Sequence, residues 1–200
     1  IAAWAKANGI VMVADEVQSG IARTGKWFAS QYEDGFEPDL VTIAKGVAGG
    51  MPISAVTGRA EIMDSSHPGG IGGTYGGNPV AAAAAVAVLK QIEAGGVLER
   101  ALHIESVLVP RLEALKAKYP VIGEVRGRGA MIAIEFVEPG THTPNSAAVD
   151  AIVKFCHQNG VLVLNAGTYG NVIRFLPPLP ISDHQLNDAL DVLDAALASL

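Results

Sequence analysis

The 200-residue sequence holds a single cysteine, Cys156, so no internal disulfide can form and nothing in the chain asks for an oxidising compartment. Basic charge is also scarce: Lys and Arg total 14 against 20 Asp and Glu, a formal net charge of −6. A nucleic-acid platform needs clustered basic charge to displace counterions from phosphate, and that pattern is missing. Long apolar runs are missing too. The longest, Val80–Leu89, is ten residues against the roughly 20 that span a bilayer. No basic leader is present, and the apolar stretch Ile10–Ala14 is cut off by Asp15, so no signal-peptide pattern is seen. What is there is apolar: half the residues are hydrophobic and 17% charged, which excludes a disordered chain. The expectation is a core-forming cytoplasmic protein with no nucleic-acid or membrane partner.

No initiator methionine opens the chain, and Ile1–Gly9 reads as the closing turns of a helix with Gly9 just past its end. That is the expectation for the C-terminal part of a longer protein. Ile10–Ala14, Leu40–Ala44 and Ile53–Thr57 are short β-branched runs, with a short helix expected over Trp27–Tyr32. Such runs predict strands buried on both faces of a mainly parallel sheet. Residues 65–79, rich in glycine, cannot be regular structure; Pro79 then suits the first turn of a helix to about Ala94. After Gly95–Gly96 a second helix runs to about Tyr119. Strands are expected over Ala130–Val137, Val161–Leu164 and Val172–Leu176, with a helix over Ser146–Asn159 and a last helix capped by Ser182. The fold class is α/β, with residues 1–95 in a large mainly parallel-sheet domain and 96–200 in a smaller α+β domain.

Several familiar chemistries fail on inspection. Gly20–Lys26 fits G-x-x-x-x-G-K, yet Trp27 stands where a Ser or Thr must reach Mg²⁺, and the loop does not run from a buried strand into a helix. The histidines (His67, His103, His142, His157 and His184) never stand at metal-ligand spacing. No G-x-S-x-G elbow supplies a hydrolase nucleophile. What survives is spread over strand ends. Asp15 closes the first strand, where open parallel sheets carry their ligands, and Gln18 follows. Lys45 closes the second. A lysine leaving a buried strand either turns into solvent or reacts, and desolvation would suit it to Schiff-base chemistry. Arg174 interrupts the apolar Val172–Leu176; its planar fork suits either a structural salt bridge or a ligand carboxylate.

The segments Ala14-Asp-Glu-Val-Gln-Ser-Gly20, Arg23-Thr-Gly25, Pro38-Asp-Leu40, Ala44-Lys-Gly46, Gly49-Gly50 and Gly73-Thr-Tyr-Gly-Gly-Asn-Pro79 together resemble the class III (ω-amino) aminotransferases, pyridoxal-phosphate enzymes of fold type I. Arg126-Gly-Arg-Gly-Ala-Met131 and Gly167–Pro178 are most similar to the 4-aminobutyrate aminotransferases among them. The match runs along the whole chain in order. It implies that Lys45 holds pyridoxal phosphate covalently and shuttles the substrate proton, and that Asp15 pairs with the cofactor's ring nitrogen. It further implies that Gln18 bonds the ring's oxygen substituent and that Thr74 reaches the phosphate of the neighbouring subunit's cofactor. A homodimer or dimer-based tetramer follows from that last role. By the same resemblance Arg174 binds a substrate carboxylate, while Glu16, Arg23, Arg126 and Arg128 are read as structural.

The activity so implied moves the amino group of an ω-amino acid, 4-aminobutyrate first, to 2-oxoglutarate, giving an aldehyde and glutamate. The same residues would serve ornithine, acetylornithine, β-alanine or a diamine as donor, or an aminomutase. A truncated, inactive fragment is the non-enzymatic alternative.

Overall fold

Three short runs of small and β-branched residues, Val13–Asp15 (β1), Leu40–Ile43 (β2) and Ala55–Gly58 (β3), pair in the order β1-β2-β3. The structure is a computed structural model describing residues 1–200, and the chain folds into two units, Ile1–Leu98 and Glu99–Leu200. In the first unit β1 and β2 run parallel, with Asp15 opposite Thr42, while β3 is antiparallel to β2. The sheet held by this chain is therefore mixed. Nor are its strands buried on both faces: Val13 is 47% and Val56 42% exposed, because a three-stranded sheet finds few apolar partners within the unit.

One carboxylate ties the three strands together away from their functional edge. Asp39, just before β2, accepts the Met12 N–H at 2.8 Å and the Arg59 guanidinium at 2.7 Å. The Met12 bond first, then Arg59, holds its carboxyl below the usual aspartate range. Gly58 is required here, since a Cβ would lie 2.2 Å from the Asp39 carbonyl oxygen.

Helix α1 (Ala2–Ala7) precedes β1, and 3₁₀ turns occupy Ala29–Tyr32 and Lys45–Ala48. After α2 (Ala60–Met63) residues 65–78 form turns and bends without regular structure, as their glycine content predicts. Helix α3 (Pro79–Glu93) then starts with Pro79 in its first turn, and Asn78 accepts the N–H groups of Val80 and Ala81 at 3.0 and 3.2 Å. It packs against the Lys45–Ala48 turn, where Val88 comes up to Gly49.

The second unit is built on α4 (Val97–Lys118), β4 (Ile122–Arg128), β5 (Met131–Phe136), α5 (Ser146–Gln158), β6 (Leu164–Ala166), β7 (Val172–Phe175) and α6 (Asp183–Ala198). Its sheet runs β4-β5-β7-β6, antiparallel throughout. Alternation along β5 turns Ile132, Ile134 and Phe136 inward, and Ile173 on β7 joins them. Onto that face pack Ile104, Leu108 and Leu112 of α4, Val149, Ile152 and Cys156 of α5, and Leu186, Leu190 and Leu193 of α6. Pro110 lies inside α4 on its exposed side, and Ser106, whose carbonyl loses its helical donor, is exposed as well. No single helix of the chain is long and apolar enough to cross a membrane.

Candidate active site

The parallel pairing of β1 with β2 sets Asp15 and Thr42 side by side at the carboxyl edge, and Lys45 follows three residues later. Asp15 Oδ1 accepts two hydrogen bonds, from the Val17 N–H at 3.1 Å and from the Thr42 hydroxyl at 3.2 Å. The Glu16 N–H meanwhile donates to the Thr42 carbonyl at 3.0 Å, which continues the ladder one residue past β1. Asp15 Oδ2 receives no hydrogen bond. Lys45 opens its 3₁₀ turn in the left-handed region, φ 48°, a conformation that costs a side-chain-bearing residue of the order of 1–2 kcal/mol. Its amine has no hydrogen-bond or ion-pair partner. The structure leaves Lys45 exposed rather than desolvated, because the strand it closes lies in a thin sheet.

Beyond Asp15 the chain makes a long turn that carries Gln18, and Glu16 organises it. Only 3% exposed, Glu16 accepts the Ser19 hydroxyl at 2.6 Å and the N–H groups of Ala29 and Ser30 at 3.1 and 2.7 Å. Burial pushes its carboxyl up, but these hydrogen bonds together outweigh burial and leave it below the ordinary glutamate value. The turn is tight enough that a Cβ at Gly20 would lie 2.8 Å from the Glu16 carbonyl. Ile21 and Ala22 follow in left-handed conformations and are buried, with the Ile21 side chain lodged beside Gly46. Reading Glu16 as structural agrees with this geometry. Thr42 was not singled out from sequence; the signal available was a lone hydroxyl in the apolar run Leu40–Ile43.

Thr74 lies in the glycine-rich stretch of the same unit, fully within exposed residues, and makes no hydrogen bond to the Asp15–Lys45 edge. Arg174 belongs to the second unit. It pairs in register with Ala133 and Leu164 and is half-buried, not fully buried, since only the three-residue strand β6 lies outside β7. It lines a cavity of about 520 Å³ together with Leu162, Phe175, Gln185 and Asp188. Arg126 is held between Glu124 and Glu135, each at 2.6 Å, a structural ion pair on the outer face of the sheet.

Residues 1–197 match the family described as aminotransferase class-III. The chain belongs to that family. Class III relatives include the 4-aminobutyrate aminotransferase of Mycobacterium tuberculosis, 52% identical over 199 residues, which cover 98% of this chain and 44% of that protein. A 5-aminovalerate aminotransferase of Pseudomonas aeruginosa is 51% identical over 187 residues, 93% of this chain and 44% of that one. Among solved structures, the acetylornithine aminotransferase of Elizabethkingia anophelis superposes with a TM-score of 0.83 at 36% identity, over all of this chain and 48% of the other. A phospholyase from Arthrobacter, in complex with phosphoethanolamine, gives 0.90 at 33% identity, again over the whole chain and 48% of the other. This class III chain thus spans less than half the length of the relatives it matches.

The family implies pyridoxal phosphate, and the donor set suits that group. An aldehyde needs an amine without a competing partner, which Lys45 offers. A basic ring nitrogen needs a carboxylate oxygen left open, which is Oδ2 of Asp15. Both stand at one sheet edge.

Proposed function

We propose that this chain supplies the covalent-attachment lysine of a pyridoxal-phosphate aminotransferase acting on an ω-amino acid, with 4-aminobutyrate as amino donor and 2-oxoglutarate as acceptor. The observation that carries the reading is the pairing at one sheet edge of an unpartnered lysine amine with a carboxylate whose outer oxygen is open. The identity of 52% to a 4-aminobutyrate aminotransferase supports the donor. Pyridoxal phosphate supplies an electrophilic carbonyl and an aromatic ring that accepts electrons.

The chain's own residues do the rest. Lys45 Nζ would hold the group by condensing with its aldehyde with loss of water, and as a free amine it would serve as the base for the proton on the amine-bearing carbon of the substrate. Asp15 Oδ2 holds a proton on the ring nitrogen, which sets the strength of the electron sink. Gln18 orients the ring through a neutral amide. Thr74, on a loop whose glycines let backbone approach closely, binds phosphate across a homodimer interface. Arg174 presents its guanidinium to the carboxylate of the amino or oxo acid.

The test completes this chain with the length of the M. tuberculosis relative that it does not span. The product is loaded with pyridoxal phosphate and reduced with borohydride, and the labelled peptide is mapped. Label on Lys45, lost in Lys45→Ala, is the expected result; label elsewhere overturns the reading. A donor panel of 4-aminobutyrate, 5-aminovalerate, ornithine, acetylornithine and β-alanine, with 2-oxoglutarate as acceptor, then fixes the substrate by the highest kcat/KM.

A further inference from the structure

Asp15 has two rotatable side-chain bonds, and a carboxylate free to turn presents either oxygen in any direction. Here both hydrogen bonds it accepts fall on Oδ1. The Val17 N–H comes from its own chain two residues on. The Thr42 hydroxyl comes from the neighbouring strand, and it is Asp15's direct partner in the parallel ladder. Residues opposite one another in a ladder project to the same face, so this contact is set by register rather than by a flexible loop. The Glu16 N–H to Thr42 carbonyl bond locks that register at the point of use. Two donors on Oδ1 resist rotation of the carboxylate and leave Oδ2 without a hydrogen bond.

We infer that Thr42 is a positioning residue for pyridoxal phosphate: its hydroxyl fixes the Asp15 carboxylate so that Oδ2 meets the cofactor's ring nitrogen. The inference rests on the functional reading above and goes beyond it, because Thr42 touches neither cofactor nor substrate. Prior fixation matters physically, since a hydrogen bond formed by an already oriented oxygen loses less freedom on binding. It also keeps Asp15 from swinging to bond a substrate amine or the exposed Lys45. Thr42 has two β-branched neighbours in β2, so valine at this position keeps the strand preference and the shape while removing only the hydroxyl.

The experiment uses the same completed protein in four forms: unsubstituted, Thr42→Val, Thr42→Ser and Asp15→Asn. Two quantities are read besides turnover. One is the dissociation constant for pyridoxal phosphate. The other is the NMR resonance of isotopically labelled ring nitrogen, which reports whether that nitrogen carries a proton. For Thr42→Val the affinity should fall roughly 5- to 10-fold, the size of one ordinary net hydrogen bond, because the lost bond acts on the cofactor only through Asp15. The ring-nitrogen resonance should move part of the way toward that of Asp15→Asn. Thr42→Ser, which keeps the donor, should match the unsubstituted protein in both. Thr42→Ala gives the same comparison if the valine variant does not fold. A valine or alanine variant with unchanged resonance and affinity overturns the inference while leaving the functional reading intact, provided borohydride still labels Lys45. Absence of that label in the unsubstituted protein overturns both.

Discussion

Glu16 and Lys45 are both residues whose placement costs free energy, and each cost has a visible reason. An isolated carboxylate at 3% exposure would be several kcal/mol unfavourable, and three donors offset that by holding its charge. Glu16→Gln removes the charge but not the shape, so two backbone N–H groups lose a charged acceptor; a loss of about 1–3 kcal/mol in urea unfolding is expected. The sign of its pH dependence follows from the lowered carboxyl. Stabilisation is complete above the ordinary glutamate value of 4.5 and is lost as pH falls through the lower folded-state value. Acid titration of stability should therefore be steeper for the unsubstituted protein than for Glu16→Gln. Lys45 is the converse case, strained and unsupported. Its left-handed backbone favours glycine, so Lys45→Gly should melt higher than Lys45→Ala by about 1 kcal/mol of stability, with neither variant labelled by borohydride.

At the scale of elements, the best-determined terminus is that of α6. The Ser182 hydroxyl accepts the Gln185 N–H at 3.2 Å, and the Gln185 side chain returns to the Ser182 N–H at 3.2 Å. Ser182→Ala should cost about 1 kcal/mol of thermal or urea stability, and Ser182→Asp should restore most of it. This cap and the start of α3 at Pro79 were legible in the sequence because capping is local chemistry, written in two or three adjacent residues. Elements whose reasons are non-local were harder to read. Strand β4 hides its period behind Gly123 and Gly127 and behind three charged residues that face water, and a bulge between Ile122 and Glu124 breaks the alternation. Strand β6 falls at Leu164–Ala166 rather than Val161–Leu164, because its partner decides where it can pair. In the register that sets Leu164 opposite Arg174, Val161 would fall opposite Pro177, which has no N–H to give, so the strand cannot begin there. At the candidate site the same division holds. Asp15 and Lys45 stood out as charges at the ends of apolar runs, whereas Thr42 acquires its role only from the register between two strands 27 residues apart.

Taken as a molecule, the chain distributes its core unevenly. The buried apolar residues of the first unit are Ala5, Ile21, Ala22, Ala48, Ala81 and Ile92, four of them alanines with little area to remove from water. The second unit buries a continuous cluster drawn from α4, β5, α5, β7 and α6, with Phe136, Ile104, Leu108, Leu112 and Ile132 almost wholly inaccessible. Cooperative stability follows buried apolar area, so the units should open at different denaturant concentrations. Cys156, at the centre of the second core and fully inaccessible, reports on that unit alone, and burial pushes its thiol up, which further slows alkylation. The expected outcome in a urea series is that amides of β1, β2 and β3 exchange freely with deuterium at concentrations where Cys156 still resists a thiol reagent. Coincidence of the two transitions would show one cooperative fold and refute the division. Supplying the length of the M. tuberculosis relative that this chain does not span should move the first transition upward, since exposed Val13 and Val56 would gain apolar cover. The Cys156 transition should stay where it was, because its core is already closed within residues 99–200.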